Sequence, residues 1–399
     1  MRIVILTETF AKHMSYLGSM LPKYLARCGA EVHVLSLGLQ PYYYLQDFKQ
    51  TYAQFHDAGA VQGGAELYDG YTIHTMPHCK LLGYVYMKHQ LAKLRELSPD
   101  IVYSLSAIGW LPLLAAIGRN AIGYKLFTGS HTTASTFPLA RSSAPLWSKE
   151  RLKCFILRYL PGRFISLMTE KCHGPTSDCA EIAWRFFGVQ KKKVEVMHLG
   201  VDTEVFYPIA TDATAQERRY TRDKLGFRDD EVVCIYTGKM TEVKNAVILA
   251  EAVEVLRSEG YGYRALFIGD GVQKELIQSY PSSVVLDFMP YQGLGIYYRA
   301  SDIGVWPTNE STSMLDAAAC GIPLVVSDGI EYREHVDGNG MVFRMNDLEH
   351  LVTTLKSLYD ADTRKRLGRA GAQKMAERFS WHLVASRRLE EYRQAVLQK

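Results

Sequence analysis

The chain has 399 residues, of which 47% are hydrophobic and 22% charged, and its net charge is +4. This length exceeds what one hydrophobic core usually serves, so two domains of roughly 150 to 200 residues are expected. The composition excludes disorder as the main state, and so small a net charge provides no concentrated basic face for a nucleic-acid partner.

Short apolar strands alternate with helical stretches in the first half of the chain. Strands are predicted over 3–6, 31–35 and 101–104, and a helix is predicted from Leu17 to Cys28. The stretch from 40 to 64 has the composition of a long connection or an insert. This alternation of strand and helix predicts an α/β fold with a parallel sheet covered on both faces.

The alternation restarts after a polar segment, Tyr207 to Glu231, which we interpret as a linker. The predicted elements beyond it are strands Val232–Thr237, Arg264–Ile268, Val284–Asp287, Ile303–Trp306 and Leu324–Ser327, and helix Ala246–Ser258. We therefore expect two Rossmann-like, doubly wound domains, 1–205 and 206–380, that face one cleft with the carboxyl edges of their sheets. A last helix within 381–399 is expected to cross back onto the first domain.

A basic loop, Gly238 to Asn245, follows one predicted strand and precedes a helix. Gly238 allows close approach of the backbone to a ligand, and Lys239 and Lys244 place two cations around a turn. Cations in a water-poor cleft can stabilise a diphosphate leaving group. Alone the pattern is weak, because lysine pairs before helices are common on protein surfaces.

A second loop follows the strand that ends at Pro307. The helix that begins near Ser313 has free backbone amides in its first turn, and such amides form an anion site. Asp316 lies about one turn into this helix, where its carboxylate could face a ribose. The alternative for 311–313 is simple N-capping without a ligand.

Taken together, the two loops resemble the retaining glycosyltransferases of family 4, which have the GT-B fold. Three further segments carry the resemblance: Leu199–Pro208 is similar to the interdomain segment, Phe267–Gly271 to a glycine-containing strand end, and Tyr298–Asp302 to the helix before the donor-binding strand. The resemblance is strongest over 194–340 and thinner elsewhere.

The resemblance implies transfer of a sugar from a UDP- or GDP-sugar with retention of configuration, without a cofactor or a metal ion. Lys239 and Lys244 would then hold the diphosphate, and Asp316 the ribose hydroxyls. The other implied positions are the amides of Ser313, Met314 and Leu315 at the phosphate, Met289 beside the base, Gly18 in the N-terminal glycine loop, and His131 facing the sugar. For His131, a hydrogen-bonded core histidine is an equal alternative.

The sequence departs from the family pattern at its acidic loop. The family has two acids eight residues apart, but Thr308 stands eight residues before Asp316. Glu310 is six residues before, so we interpret it as the first acid, displaced by a loop two residues shorter. The alternative is that Glu310 caps the loop and that the contact with the donor sugar is altered or lost.

No D-x-D motif is placed to hold a divalent ion on a donor. In the implied mechanism the departing phosphate oxygen takes the proton of the acceptor on the same face of the sugar, so no protein nucleophile is required. The acceptor stays unidentified: a glycan, a lipid-linked group or a small molecule. Cell-envelope polysaccharide or glycolipid synthesis is the context that the family implies.

From Arg141 to Arg163 there are six basic residues and one acid, with apolar residues at helical spacing. They are Leu152, Phe155, Ile156, Tyr159 and Leu160. One hypothesis is that this helix rests on anionic lipid at the inner face of a membrane. The alternative, which we expect, is an ordinary surface helix packed on its own core.

The apolar run at the N-terminus is too short for a signal peptide, and the stretch around 108–117 is too short for a membrane helix. Seven cysteines without a C-x-x-C pair are typical of reduced thiols, so a cytoplasmic location is expected. A nucleotide-sugar epimerase of the same fold and a non-catalytic nucleotide-sugar binding protein are the rival functions. A nicotinamide dehydrogenase fits poorly, because 269–271 lacks the third glycine of G-x-G-x-x-G.

Overall fold

The computed structural model describes residues 1–40, 64–134, 136–142, 145, 147–308, 310–330 and 333–398. The predicted connection or insert over 40–64 lies outside the described residues except for its two end residues. Two sheets and their covering helices account for most of the described chain.

The first sheet has eight strands in the order β10-β9-β8-β7-β1-β2-β4-β3. They are β1 (Arg2–Thr9), β2 (Glu31–Leu39), β3 (Ala65–Tyr68), β4 (Tyr71–Thr75), β7 (Ile101–Ser104), β8 (Lys125–Gly129), β9 (Thr169–Gly174) and β10 (Val194–Val196). Only the edge pair β3–β4 is antiparallel. Strands β5 (His78–Leu81) and β6 (Tyr84–Met87) form a separate hairpin. The central strands β1 and β7 are apolar and buried because helices cover both faces of the sheet.

The second sheet has six parallel strands in the order β13-β12-β11-β14-β15-β16. They are β11 (Val232–Thr237), β12 (Tyr263–Ile268), β13 (Ser283–Leu286), β14 (Ile303–Trp306), β15 (Leu324–Ser327) and β16 (Gly340–Phe343). Counted within this half, the order is 3-2-1-4-5-6, the order of Rossmann domains.

The described helices connect these strands and cover the sheets. They are α1 (Leu17–Arg27), α2 (Gln90–Leu97), α3 (Trp110–Ile122), α4 (Pro138–Arg141), α5 (Lys149–Cys154), α6 (Leu160–Met168), α7 (Ser177–Phe186), α8 (Asp212–Lys224), α9 (Val247–Ser258), α10 (Lys274–Gln278), α11 (Gly295–Ala300), α12 (Ser313–Ala319), α13 (Leu348–Ser357), α14 (Ala361–Arg378) and α15 (Trp381–Leu397). A π-helical turn, Phe155–Tyr159, joins α5 to α6.

The predicted fold class, two doubly wound parallel sheets, is confirmed. In each sheet the strand order reverses beside the first strand, between β1 and β7 in one sheet and between β11 and β14 in the other. Ligands of such sheets bind outside the carboxyl ends of the strands at this reversal. The fold therefore points to the loops after these four strands.

The segment from 207 to 231, predicted as a linker, contains helix α8. Thr211 caps its first turn, and Arg218 and Arg222 bind Asp302 at 2.7 and 3.1 Å. Arg222 also donates to backbone carbonyl oxygens, among them that of Glu231. The polar composition that indicated a linker thus reflects arginines that fasten the helix to the second sheet.

The two halves of the chain are joined at a buried carboxylate, Asp202. It accepts hydrogen bonds from the Lys23 ammonium at 2.8 Å and the Tyr24 hydroxyl at 2.7 Å, both on α1, and lies 3.5 Å from the Tyr291 hydroxyl of the second half. Beside it, Val201 pairs with Ser380 immediately before α15. The last helix then packs against α1, where Cys28 and Ser386 are in contact.

Candidate functional site

The loop after β11 is fixed by the neighbouring strand end. Gly238 has φ 146° and Gly269 has φ 151°, values that favour glycine. A Cβ at Gly269 would collide with the carbonyl oxygen of Gly238, so the two strand ends touch backbone to backbone. The Met240 amide also donates to the carbonyl oxygen of Asp270 at 2.8 Å. The packing of the two strand ends is therefore one reason for glycine at these two positions. The close approach of a ligand to the backbone would be another.

Lys244 stands at the end of a tight turn within this loop. The amides of Lys244 and Asn245 both donate to the carbonyl oxygen of Thr241, and Asn245 adopts φ 45°. Thr308, at the position of the family's first acid, donates from its hydroxyl to the Lys244 carbonyl at 3.5 Å. Ser327 in turn donates to the Thr308 carbonyl at 2.6 Å. Thr308 thus holds the lysine turn in place.

The structure brings Lys244 and Glu310 into electrostatic range of each other. Partial burial lowers the pKa of Lys244, and the negative charge of Glu310 partly opposes this shift. The Lys244 ammonium donates no hydrogen bond to any residue that the structure describes. A half-buried cation without a bonded partner has unused capacity for an anion.

The first turn of α12 lies over the end of β11. The Ser313 hydroxyl is 3.4 Å from the Thr237 carbonyl oxygen, directly before Gly238. Met314 and Leu315 donate their amides to the carbonyl oxygens of Ser311 and Thr312. In this conformation two of the three amides predicted to hold phosphate are therefore engaged within their own turn.

Asp316 is a buried carboxylate whose side chain has no hydrogen-bond partner among the described residues. Burial, and then the charge of Asp202, raises the pKa of Asp316 well above its ordinary value. A buried polar group without a partner requires an explanation, and a ligand that supplies two hydroxyl groups, such as a ribose, would provide one.

Lys239 lies in the same loop and is partly buried. The Tyr236 hydroxyl donates to the Lys239 carbonyl oxygen at 2.7 Å, which fixes the backbone between the strand and the lysine. Lys239 and Lys244 therefore belong to one hydrogen-bonded loop after β11, at the strand reversal of the second sheet.

Across the cleft, Gly18 lies in the first turn of α1, at the carboxyl end of β1. The Tyr291 amide of the second half donates to the carbonyl oxygen of His13 in the loop before α1, at 3.2 Å. Met289 is two residues before Tyr291 and is partly buried beside Gly293. The loop that leads into α1 and Gly18 thus meets the segment of Met289 and Tyr291 at one contact between the two halves.

His131 follows β8, and its ring remains accessible to solvent. Crowding by protein atoms, and then the charges of Arg388 and His173, lowers the pKa of His131. A Cβ on Gly129 would meet both the His131 Nε2 atom and the Tyr103 hydroxyl, so these two polar groups approach the same point. The lowered pKa favours the neutral imidazole, and the exposure of the residue argues against the buried core histidine of the alternative.

Glu8 was missed by sequence reasoning. It lies at the carboxyl end of β1, where burial raises its pKa, and its side chain has no hydrogen-bond partner in the described parts of the chain. The only available signal was an acid directly after an apolar strand, a pattern that also occurs at many strand ends. Glu8 is therefore a candidate contact for a ligand on the first half of the cleft.

The described residues contain no group of three or more His, Cys, Asp or Glu that could hold a metal ion. The chain has one D-x-D sequence, Asp360 to Asp362, at the start of α14, where the Asp360 carboxylate accepts the Thr363 amide as an N-cap. Within the same residues no helix is both long and apolar enough to cross a membrane.

Comparison with known proteins gives two family matches. Residues 20–205 match the family described as Glycosyltransferase Family 4, and residues 231–361 match Glycosyl transferases group 1. Between them the two matches take in both halves of the cleft.

The individual relatives have low sequence identity to this chain. D-inositol 3-phosphate glycosyltransferase of Xylanimonas cellulosilytica is 29% identical over 55% of this chain and 56% of its own length. Alpha-monoglucosyldiacylglycerol synthase of Acholeplasma laidlawii is 24% identical over 69% of this chain and 72% of its own length. The chain spans about half the length of the first curated relatives it matches. The solved structure of Anabaena HepE in complex with UDP and glucose has a TM-score of 0.66 and 14% identity, and 98% of each chain is covered.

Proposed function

Because the chain belongs to glycosyltransferase family 4, we propose that it transfers a hexose from a nucleoside diphosphate sugar to an acceptor hydroxyl, with retention of anomeric configuration. The observation that carries the proposal is the Lys244 ammonium, which has no hydrogen-bond partner in the described parts of the chain and lies in a hydrogen-bonded turn near Glu310 at the strand reversal of the second sheet. We propose UDP or GDP as the nucleotide, and the UDP complex of HepE makes UDP the first to test.

The proposed roles follow from charge. Lys239 and Lys244 would stabilise the two negative charges that develop on the departing diphosphate, without a metal ion. At an effective dielectric constant of about 20, one cation at 4 Å contributes on the order of 4 kcal/mol. The bond from the sugar to the phosphate oxygen breaks, and that oxygen takes the proton of the acceptor hydroxyl as the new glycosidic bond forms on the same face.

The other site residues would orient the donor. Asp316 would accept hydrogen bonds from the ribose hydroxyls, Glu310 would bind the sugar, and His131 would contact the sugar from the first half of the cleft. Gly18 would let α1 approach the phosphate, with Gly238 and Ser313 on the opposite side and Met289 beside the base. The amides of Met314 and Leu315 could contribute only if their turn rearranges, since both are engaged.

For the acceptor, the name of one relative contains a phosphorylated polyol, inositol 3-phosphate, and the name of the other gives a glucosylated diacylglycerol as its product. We propose an acceptor of the glycolipid or envelope polysaccharide class, used in the cytoplasm at the inner face of the membrane. Glu8 and His131 are the polar groups on the first half that an acceptor hydroxyl would meet.

Thermal unfolding in the presence of UDP, GDP, ADP, CMP or NAD tests the donor site. A nucleotide at 100 times its dissociation constant should stabilise the protein by about 2.7 kcal/mol, a shift of a few degrees. One nucleoside diphosphate should produce the shift in the wild-type protein and a much smaller one in Lys244→Ala.

A stabilising nucleotide is then tested as its sugar conjugate, with and without extracts of candidate acceptors. Transfer that keeps the anomeric configuration, followed by proton NMR, would support the proposal. Cooperative unfolding that no diphosphate shifts would argue against it. Interconversion of the donor sugar without transfer would indicate an epimerase, and binding without any turnover a non-catalytic protein.

A further inference from the structure

The segment from 147 to 168 exposes large apolar side chains on one side. The outer face of this segment consists of Trp147, Leu152, Phe155, Ile156, Leu157, Leu160, Phe164 and Leu167, all of which are exposed. Trp147 is 92% accessible, an extreme value for the largest apolar side chain. Of the five residues expected to pack on the protein's own core, Leu152, Phe155, Ile156 and Leu160 are exposed and Tyr159 is partly buried, so the expectation is wrong for four of these side chains.

The opposite side of the segment is firmly packed, so the outer face does not result from a loosely attached helix. Cys154 is buried among Phe137, Phe186 and Phe187. A Cβ at Gly162 would collide with the Phe187 carbonyl oxygen, which means that the helix backbone lies directly on the chain beneath it. This contact fixes which side chains point outward.

The π-helical turn also has a local cause. Pro161 has no amide hydrogen to donate to the Leu157 carbonyl oxygen, and the regular helical bonding is interrupted in the turn that precedes it. Through this turn three consecutive residues, 155–157, are all exposed. The π-helical turn therefore adds three adjacent apolar side chains to the outer face.

Cations border the outer face. Lys149, Lys153 and Arg163 are exposed along it, and none pairs with a carboxylate among the described residues. At the far end, Lys193 donates to the carbonyl oxygen of Ser166, so the lysine run 191–193 adjoins the end of α6. Apolar side chains flanked by cations complement a surface with an apolar interior and anionic headgroups.

We propose that the outer face is a membrane-docking surface, which inserts into one leaflet of a bilayer that contains anionic lipid. The apolar side chains would enter the boundary between headgroups and acyl chains, with Trp147 at the interface. Lys149, Lys153 and Arg163 would contact the headgroups. These three cations favour a bilayer over a second copy of the chain as the partner. At a two-fold interface between two copies, identical cations would face and repel one another.

The membrane-docking surface does not depend on how the donor is bound. What it implies for the acceptor rests on the proposed function. Residue 147 follows His131 by sixteen positions, and Phe137 between them belongs to the same small core as Cys154. Docking would therefore hold the first half of the cleft near the lipid surface, where a lipid acceptor is presented.

Flotation of the full-length protein with vesicles tests the surface directly. The vesicles contain phosphatidylcholine alone or phosphatidylcholine mixed with phosphatidylglycerol, and no donor or acceptor is needed. Leu157→Glu should weaken binding by about tenfold or more, because it replaces a buried apolar contact with a charge. Lys153→Ala should weaken binding about fivefold on the anionic vesicles and leave neutral vesicles unaffected.

Leu276→Glu is the matched control, since Leu276 and Leu157 are both helical leucines that are 50% exposed. Equal flotation of the Leu157 and Leu276 variants, or no flotation of the wild-type protein, would overturn the proposal. So would a dimer in sedimentation that Leu157→Glu dissociates. Nucleotide thermal shifts on the same samples separate the questions: vesicle binding without any nucleotide shift leaves the surface in place and rejects the proposed function.

Discussion

The two halves of the cleft have the same topology and different chemistry. In both sheets the strand order reverses beside the first strand, which places a crevice at the carboxyl edge. In the second half this edge carries a cation, Lys244, and a buried carboxylate, Asp316, whose side chains have no hydrogen-bond partner among the residues that the structure describes. In the first half it carries His131, whose pKa is lowered, and Glu8, whose pKa is raised, while cations border the outer face of 147–168.

This difference shows that the topology places a crevice at the edge of each sheet, and that the loops supply the side chains that could bind a ligand there. The second half holds its charges in two short loops that are tied to neighbouring strand ends, as expected of a site that grips a charged diphosphate. The first half assembles its polar groups from distant parts of the chain: Arg388 of the last helix lies 4.9 Å from the ring centre of Tyr103, and Glu391 pairs with His173 at 2.8 Å. An edge that presents an imidazole and a carboxyl group would suit the hydroxyl-bearing acceptor proposed above.

The largest expected effect would come from breaking the junction that holds the two edges opposite each other. Asp202→Ala leaves the buried Lys23 ammonium without its closest counter-ion, at 2.8 Å. The free energy of unfolding should fall by about 3–5 kcal/mol, since an uncompensated charge stays buried. Urea unfolding followed by circular dichroism measures this change.

Asp69→Ala is the matched control, because Asp69 also lies near Lys23, at 3.4 Å, but is partly exposed. Removal of this more solvated partner should cost about 1 kcal/mol or less. If the free energy of unfolding fell equally in the two variants, Asp202 would contribute no more than a solvated partner of Lys23. In that case the arrangement of the two edges would depend on the packing of α15.

Lys244→Ala sharpens the comparison on the donor side. Turnover should fall by about 10²–10³-fold, because a preorganised charge at the leaving group is lost. Stability should change by less than about 0.5 kcal/mol, because the ammonium has no bonded partner in the described structure. Initial rates with a saturating donor, compared with melting temperatures, separate the two effects.

Lys224→Ala provides the control, since Lys224 is an exposed lysine in α8 of the same half. It should leave both turnover and melting temperature unchanged. An unfolded or fully active Lys244→Ala protein would remove this lysine from the proposed mechanism and leave the donor edge without its main cation.

Sequence patterns were sufficient for the fold, and they also predicted a lysine-bearing loop directly after a strand of the second sheet. Strands such as Ile303–Trp306 are contiguous apolar runs, and the Lys239–Lys244 loop is contiguous as well, so local sequence carries the information. The roles of Thr308 and Asp202 could not be predicted, because each depends on contacts with residues far away in sequence. Likewise, helical spacing over 152–160 cannot reveal which face is buried, since that depends on the backbone contact at Gly162.

The smallest expected effect concerns Glu310, the displaced acid of the shortened loop. Glu310→Gln should lower turnover about tenfold, because a charge-assisted hydrogen bond to the sugar becomes a neutral one. Nucleotide affinity should stay within about twofold of the wild type, since the diphosphate contacts are kept. Calorimetry with the nucleoside diphosphate and steady-state rates with the donor sugar measure the two quantities.

The same variant also tests whether Glu310 and Lys244 act as a pair. The charge of Glu310 raises the pKa of Lys244 against the effect of burial, so its removal should lower that pKa further. Lys244 then loses its proton at a lower pH, and the alkaline fall in activity should begin earlier than in the wild type. Glu242→Gln, an exposed acid of the lysine loop, should leave the profile unchanged. An unshifted profile and full activity for Glu310→Gln would instead favour a loop-capping role for Glu310, and the donor edge would then depend on its lysines and Asp316 alone.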